Sequence, residues 1–131
     1  MKRYFILGIV VVLLGGGGVA YYVSGTPEAR RDRALRNARA YLKESKVREA
    51  VIEFKNAVAA DPRSVETRFE FGNALLKSGD VRGAYQELIR AVDLKPDFIK
   101  ARYQVARIQV MTKQLKEAKE HLAKLREQNR N

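Results

Sequence analysis

The sequence predicts an all-α fold built from three consecutive helical hairpins, and two features of its pattern support this. The first is an interval of 34 residues that separates Ala50, Ala84 and Ala118, and likewise Pro62 and Pro96. The second is that apolar residues recur within each interval every three or four positions, which is the spacing of one face of an α-helix. A fixed period of a few tens of residues is the signature of a repeat architecture. The predicted repeats are 31–64, 65–98 and 99–131.

Each unit reads as two amphipathic helices joined by a short turn. In the middle unit, Gly79 can adopt the positive φ that ends a first helix. Pro96 ends the second helix, because proline lacks a backbone N–H and restricts the residue before it. The small residues Gly72 and Ala84 allow the paired helices to approach closely. The residues expected to pack within and between the repeats are Ala50, Phe54, Ala57, Gly72, Ala84, Leu88, Ala91, Ala118 and Leu122.

The middle unit resembles the signature of the tetratricopeptide repeat (TPR) family, except that Arg68 replaces the usual aromatic residue. The matching residues are Phe71-Gly72, Leu75, Gly79, Ala84, Leu88, Ala91 and Pro96. The resemblance implies a right-handed α-α superhelix, a TPR solenoid, that binds proteins and catalyses no reaction. A narrower similarity, in Tyr41-Leu42 and residues 50–57, is to TPR proteins of bacterial exopolysaccharide and PEP-CTERM/exosortase systems.

The TPR resemblance also implies a binding groove, because the first helices of TPR repeats form a concave wall. At the family's groove positions this chain has five basic residues with apolar and aromatic residues among them, and two acidic residues, Asp32 and Glu66. We therefore expect a protein or peptide partner with acidic and apolar side chains. The expected groove residues are Arg39, Lys43, Phe69, Asn73, Lys77, Lys100, Tyr103 and Arg107.

The groove positions also allow two structural interpretations. The basic residues could form an ordinary solvated face, and the aromatic residues could pack structurally at repeat junctions. The family's carboxylate clamp for chaperone tails is not reproduced, since Leu35 and Arg39 stand where the clamp has Lys and Asn. The sequence therefore disfavours a chaperone co-factor role.

Composition narrows the functional classes further. The chain has no cysteine and one histidine, His121, so the sequence predicts no metal site, no cofactor and no enzymatic activity. Its formal net charge of +11 favours anionic partners. An alternative function is therefore a basic repeat protein that associates with membrane surfaces or nucleic acid and faces the cytoplasm. We consider nucleic acid the less favoured partner, because the charges are mixed along the chain.

The N-terminal segment, residues 1–23, predicts a membrane anchor or a signal peptide. Lys2 and Arg3 precede an uncharged run, Tyr4–Val23, which is just long enough to cross a bilayer as a helix. The four glycines Gly15–Gly18 weaken the helix, and the same residues also fit a signal peptide that is cleaved after Ala20. Residues 24–30 are expected to be a linker to the TPR domain, 31–131.

We therefore expect a single-pass protein of the bacterial inner membrane with a periplasmic TPR domain. Export after cleavage near Ala20 is the alternative. The predicted function is a scaffold or adaptor that docks partners in a bacterial envelope, secretion or exopolysaccharide complex.

Overall fold

The computed structural model describes residues 25–130, which form six α-helices and no β-strand. The helices are α1 Pro27–Lys43, α2 Val47–Ala60, α3 Val65–Ser78, α4 Val81–Leu94, α5 Ile99–Met111 and α6 Leu115–Gln128. Consecutive helices make the main contacts, so α1–α2, α3–α4 and α5–α6 are three stacked hairpins. This confirms the all-α prediction and the prediction of three helical hairpins.

The N-terminal predictions concern an anchor or signal peptide, 1–23, and a linker, 24–30. The predicted anchor or signal, 1–23, lies outside the described residues. None of the helices between residues 25 and 130 has the length and apolarity needed to span a membrane. Helix α1 begins at Pro27, inside the predicted linker, because Pro27 has a helical φ and the Thr26 hydroxyl accepts a hydrogen bond from the Ala29 N–H.

The three hairpin turns share a left-handed residue at the same repeat position. Gly79 has φ 88°, as its predicted role requires, and the equivalent residues Ser45 and Lys113 have φ 59° and 61°. At each turn the next backbone N–H bonds back to a carbonyl five residues earlier; Asp80 N, for example, lies 2.9 Å from Leu75 O. This pairing satisfies carbonyls that the helix end would otherwise leave without donors.

The core lies between consecutive helices, where small residues face a few large ones. Phe54 and Leu88 are fully buried, and the Phe54 ring stacks on that of Phe71 in the next hairpin, with centroids 6.5 Å apart. A Cβ placed on Gly72 would lie 2.7 Å from Leu88 Cγ, which is closer than real carbon atoms approach. Glycine at position 72 therefore allows α3 and α4 to pack together.

Leu122 differs from the other predicted packing residues. The structure buries Ala50, Phe54, Ala57, Gly72, Ala84, Leu88, Ala91 and Ala118, whereas Leu122 is 45% exposed. Its equivalents Phe54 and Leu88 are fully buried, and Phe54 stacks on Phe71 of the following hairpin. Within residues 25–130 no hairpin follows α6, so Leu122 is not packed between two repeats there.

Candidate protein-binding surface

The exposed sides of α1, α3 and α5 form a surface that we call the first-helix face. The eight residues expected to line a groove all belong to these three helices. The cations Arg39, Lys43, Lys77, Lys100 and Arg107 are all exposed. Each of the three first helices therefore contributes at least one exposed cation.

Two polar contacts join neighbouring first helices across this face. Arg39 donates to both carboxylate oxygens of Glu70, at 2.8 and 2.5 Å, and this hydrogen bonding raises the pKa of the Arg39 guanidinium. One hairpin further along, Gln104 Nε2 donates to Asn73 Oδ1 at 3.2 Å. Both contacts join residues 31 positions apart. Arg39 and Asn73 are thus already engaged in holding adjacent hairpins in register.

The remaining cations of the face have few protein partners. Lys43, Lys77 and Lys100 form no ion pair with any residue that the structure describes, and Arg107 donates only to Gln104 Oε1, at 3.2 Å. Their charges are therefore available to a partner.

The two aromatic residues of the face have different surroundings. Phe69 is half-buried, and its ring meets that of Phe98 edge-on with centroids 5.4 Å apart. It therefore stabilises the junction of the second and third hairpins. Tyr103 is 53% exposed and borders an apolar pit of about 210 Å³ at the end of the third hairpin. Of the two, Tyr103 is the better placed to contact a partner.

Beneath the face, two buried arginines replace the aromatic residue expected at the fourth repeat position. Arg68 forms an ion pair with Glu87 and donates to Pro62 O at 2.8 Å. Its equivalent Arg102 donates to Pro96 O through Nη2, whereas Arg68 donates to Pro62 O through Nε. Each guanidinium thus ties a first helix to the loop that precedes it. The sequence showed both arginines but not their burial, which depends on these specific partners.

No group of acidic, histidine or cysteine residues between residues 25 and 130 is arranged to hold a metal ion. His121 is half-buried against Arg102, and burial together with that positive charge lowers the pKa of the imidazole.

These features define a helical-repeat solenoid with an exposed, basic and partly apolar face. The tetratricopeptide repeat family model matches residues 75–131. No curated protein matches the chain.

Several solved structures share the fold. MamA from Desulfovibrio magneticus RS-1 is 23% identical with a TM-score of 0.71, and the match covers 87% of this chain and 64% of MamA. The TPR2B domain of yeast Sti1, in complex with an Hsp70 peptide, is 21% identical with a TM-score of 0.69, covering 76% of this chain and 80% of that domain. The first TPR domain of Spaghetti (RPAP3), bound to the HSP90 peptide SRMEEVD, is 20% identical with a TM-score of 0.70, covering 78% and 81%.

The family model matches only the C-terminal part of the chain, and these structures share its fold; together they confirm the predicted TPR-like helical-repeat fold. The chain spans less than two thirds of the MamA chain. Neither comparison supports the narrower resemblance to PEP-CTERM/exosortase proteins or the N-terminal membrane anchor.

Proposed function

We propose that this chain is a protein-interaction scaffold that binds an acidic, partly apolar peptide on its first-helix face. The observation that carries the proposal is the set of exposed cations without a carboxylate partner among the described residues, Lys43, Lys77 and Lys100, on three successive first helices. A peptide with carboxylates would neutralise these charges, and the exposed Tyr103, on the same helix as Lys100, offers an aromatic contact.

The solved relatives support this class of function. Two of the similar TPR domains hold chaperone peptides, and the one bound to RPAP3, SRMEEVD, combines acidic and apolar residues. In this chain Arg39 is bound to Glu70, and Leu35 stands at the position where the carboxylate clamp has Lys. The clamp of chaperone-binding domains is therefore not reproduced. The ligand we propose is therefore acidic without being a chaperone tail.

The test uses peptides selected from a random library on the full chain in detergent, with affinities measured by fluorescence anisotropy. The selected peptides should be rich in Asp and Glu. Lys43→Glu combined with Lys77→Glu should weaken binding by about tenfold or more, because it reverses two charges of the face. Lys55→Glu combined with Lys124→Glu is the matched control, since these exposed cations lie on the second helices α2 and α6. Equal affinities for the two double variants would overturn the proposal.

The cellular setting is a second part of the proposal. The length and apolarity of residues 1–23 support a single-pass anchor in the bacterial inner membrane, and we place the repeats in the periplasm. There the scaffold would assemble an envelope or secretion complex. Intact mass of the native protein and protease access from each side of the membrane test this directly. Cleavage of the domain only from the cytoplasmic side would overturn it and favour cytosolic or nucleic-acid partners.

A further inference from the structure

The same two kinds of contact, one polar and one apolar, occur at each junction between hairpins. The third hairpin has the receiving residues, but no following helix among residues 25–130 covers them. At the first junction, Glu70 of α3 pairs with Arg39, and the next residue, Phe71, stacks over Phe54 of α2. At the second junction, Gln104 of α5 contacts Asn73 of α3. A polar residue followed at once by an apolar one thus joins each hairpin to the one before it.

The second junction repeats the first in its apolar part as well. Val105 follows Gln104 and is the repeat equivalent of Phe71, and Leu88 is the equivalent of Phe54. Both Val105 and Leu88 are fully buried. The covering helix therefore provides two adjacent side chains, one for the polar contact and one for the apolar contact.

On the third hairpin the two receiving residues are present but uncovered. Arg107 stands at the repeat position of Arg39 and Asn73, and Leu122 stands at that of Phe54 and Leu88. Arg107 is exposed and bonds only within its own helix, and Leu122 is 45% exposed. No helix of residues 25–130 lies over them.

Between these two residues lies the pit described above, which we call the end pit. Its volume is about 210 Å³, and its lining is almost entirely apolar; the lining residues are Tyr103, Ala106, Arg107, Val110, Met111 and Leu122. Sites for small molecules are usually larger, about 300 Å³ or more. A cavity of about 150 Å³ accepts benzene. The end pit is thus the right size for one large apolar side chain.

We propose that the end pit is a docking site for one α-helix of a partner protein, in which a carboxylate residue directly precedes a large apolar residue. The carboxylate pairs with Arg107 as Glu70 pairs with Arg39. The apolar side chain enters the pit and covers Leu122 as Phe71 covers Phe54. Charge complementarity favours a carboxylate over an amide, because Arg107 has no anionic partner among the described residues.

A second copy of this chain fits the end pit poorly. End-to-end stacking would place α1 of the next copy there, and its residues at the two contact positions are Arg36 and Asn37. Arg36 would repel Arg107, and Asn37 would lose its hydration against an apolar surface. Two end pits facing each other would bring their Arg107 residues together with no carboxylate in either lining.

This proposal is separate from the peptide site on the first-helix face. Tyr103 and Arg107 border both surfaces, but Leu122 belongs only to the end pit, whereas Lys43 and Lys77 belong only to the first-helix face. Variants at these residues therefore distinguish the two proposals.

The probe is a synthetic peptide with the sequence of residues 65–78, which carries Glu70 and Phe71 in the required order. A hydrocarbon staple that replaces the Asn73 and Lys77 side chains holds it helical. Its binding to the full chain in detergent is measured by fluorescence anisotropy. We expect Leu122→Ser in the chain, or Phe71→Ala in the peptide, to weaken binding by about tenfold. Leu115→Ser is the matched control, because Leu115 is exposed on the same helix but does not line the pit.

A charge exchange tests the ion pair. A peptide with Glu70→Arg should lose binding to the natural chain and regain it on the Arg107→Glu variant. Circular dichroism should show both chain variants fully helical, since both residues are exposed. Lys43→Glu with Lys77→Glu should leave binding of this probe unchanged.

Three results would overturn the proposal: no binding of the stapled peptide, equal binding by the Leu122→Ser and Leu115→Ser variants, or no recovery in the charge exchange. A concentration-dependent dimer that Leu122→Ser abolishes, seen by light scattering in place of peptide binding, would instead make a second copy the occupant.

Discussion

Arg102 and His121 meet in the third hairpin, with Arg102 Nη1 3.3 Å from His121 Nδ1, at the place where the second hairpin has the ion pair of Arg68 and Glu87. Both pairs are 19 residues apart, and the two sites are related by the repeat interval. Arg102 is 4% exposed, and its Nε finds no hydrogen-bond partner. The third hairpin therefore buries a cation without the carboxylate that the second hairpin provides.

Replacing the histidine by glutamate should correct this deficiency. We expect His121→Glu to raise the free energy of unfolding by about 1 kcal/mol, because a buried charge gains an anionic hydrogen-bond partner. Urea denaturation followed by circular dichroism measures the change. His121→Gln is the matched control, since it can accept a hydrogen bond but carries no charge. A stability no higher for the glutamate variant than for the glutamine variant would contradict the prediction.

The same histidine should make stability depend on pH. Burial is the main cause that lowers its pKa below the ordinary 6.5, followed by the charges of Arg102 and Lys124, with Glu120 opposing them. The unfolded chain then binds the proton more readily than the folded chain. The contribution of His121 to stability is therefore complete above the ordinary pKa and is lost as the pH falls through it toward the lowered value.

The measurement compares the natural chain with His121→Gln at about pH 7.5 and about pH 5, on either side of the ordinary histidine pKa. The natural chain should lose more stability on acidification than the variant, because other titrating groups are common to both. Equal losses of stability in the natural chain and the variant would show that His121 has the same pKa in the folded and unfolded chains.

The hairpin turns offer stabilising substitutions. Ser45 and Lys113 hold the left-handed conformation that costs a residue with a Cβ more than it costs glycine. Ser45→Gly and Lys113→Gly should each raise the free energy of unfolding by about 1 kcal/mol. Glu44→Gly is the control, because Glu44 has φ −86° and gains nothing from glycine. Thermal melting should show a higher melting temperature for Ser45→Gly and Lys113→Gly than for the control. A loss of stability in Ser45→Gly would contradict the explanation.

The close approach of paired helices predicts a disruptive substitution. Ala84 is fully buried, and its carbonyl would lie 3.4 Å from a Cβ on Gly72. Ala84→Glu should destabilise the domain by about 3 kcal/mol or more, because it adds volume and a charge without a partner. Circular dichroism should show unfolding, whereas the control Arg82→Glu, at an exposed position of the same helix, should remain helical. A folded Ala84→Glu variant would show that α3 and α4 can move apart without unfolding the domain.

Much of the fold could be predicted because the repeat interval fixes which residues are equivalent. The spacing of Ala50, Ala84 and Ala118 identified the buried small positions, and Gly79 identified a turn. Ser45 and Lys113 take the same left-handed conformation although neither is a residue type that signals it. Comparing all three turns at the repeat interval could have found them.

Other features depend on neighbours that periodicity does not reveal. Arg68 looked like a departure from the family pattern, and only the structure shows that Glu87 and Pro62 O receive its buried guanidinium. Leu122 has the right residue type for packing but no covering helix among the described residues. The partner of the first-helix face stays a prediction, because exposed charge indicates what chemistry would bind and does not identify the molecule.

The uneven burial of the helices has a consequence for how the domain opens. Helices α3 and α5 each bury six residues, whereas α1 buries two and α6 buries one. In a linear array each unit is stabilised by its neighbours, so both junctions depend on the middle hairpin. Amide exchange should therefore be slowest in α3 and fastest in α6, and the terminal helices α1 and α6 should open in events smaller than global unfolding. A ligand that seals the end pit would slow exchange in α6 first, and thereby turn the least protected end of the array into a reporter of occupancy.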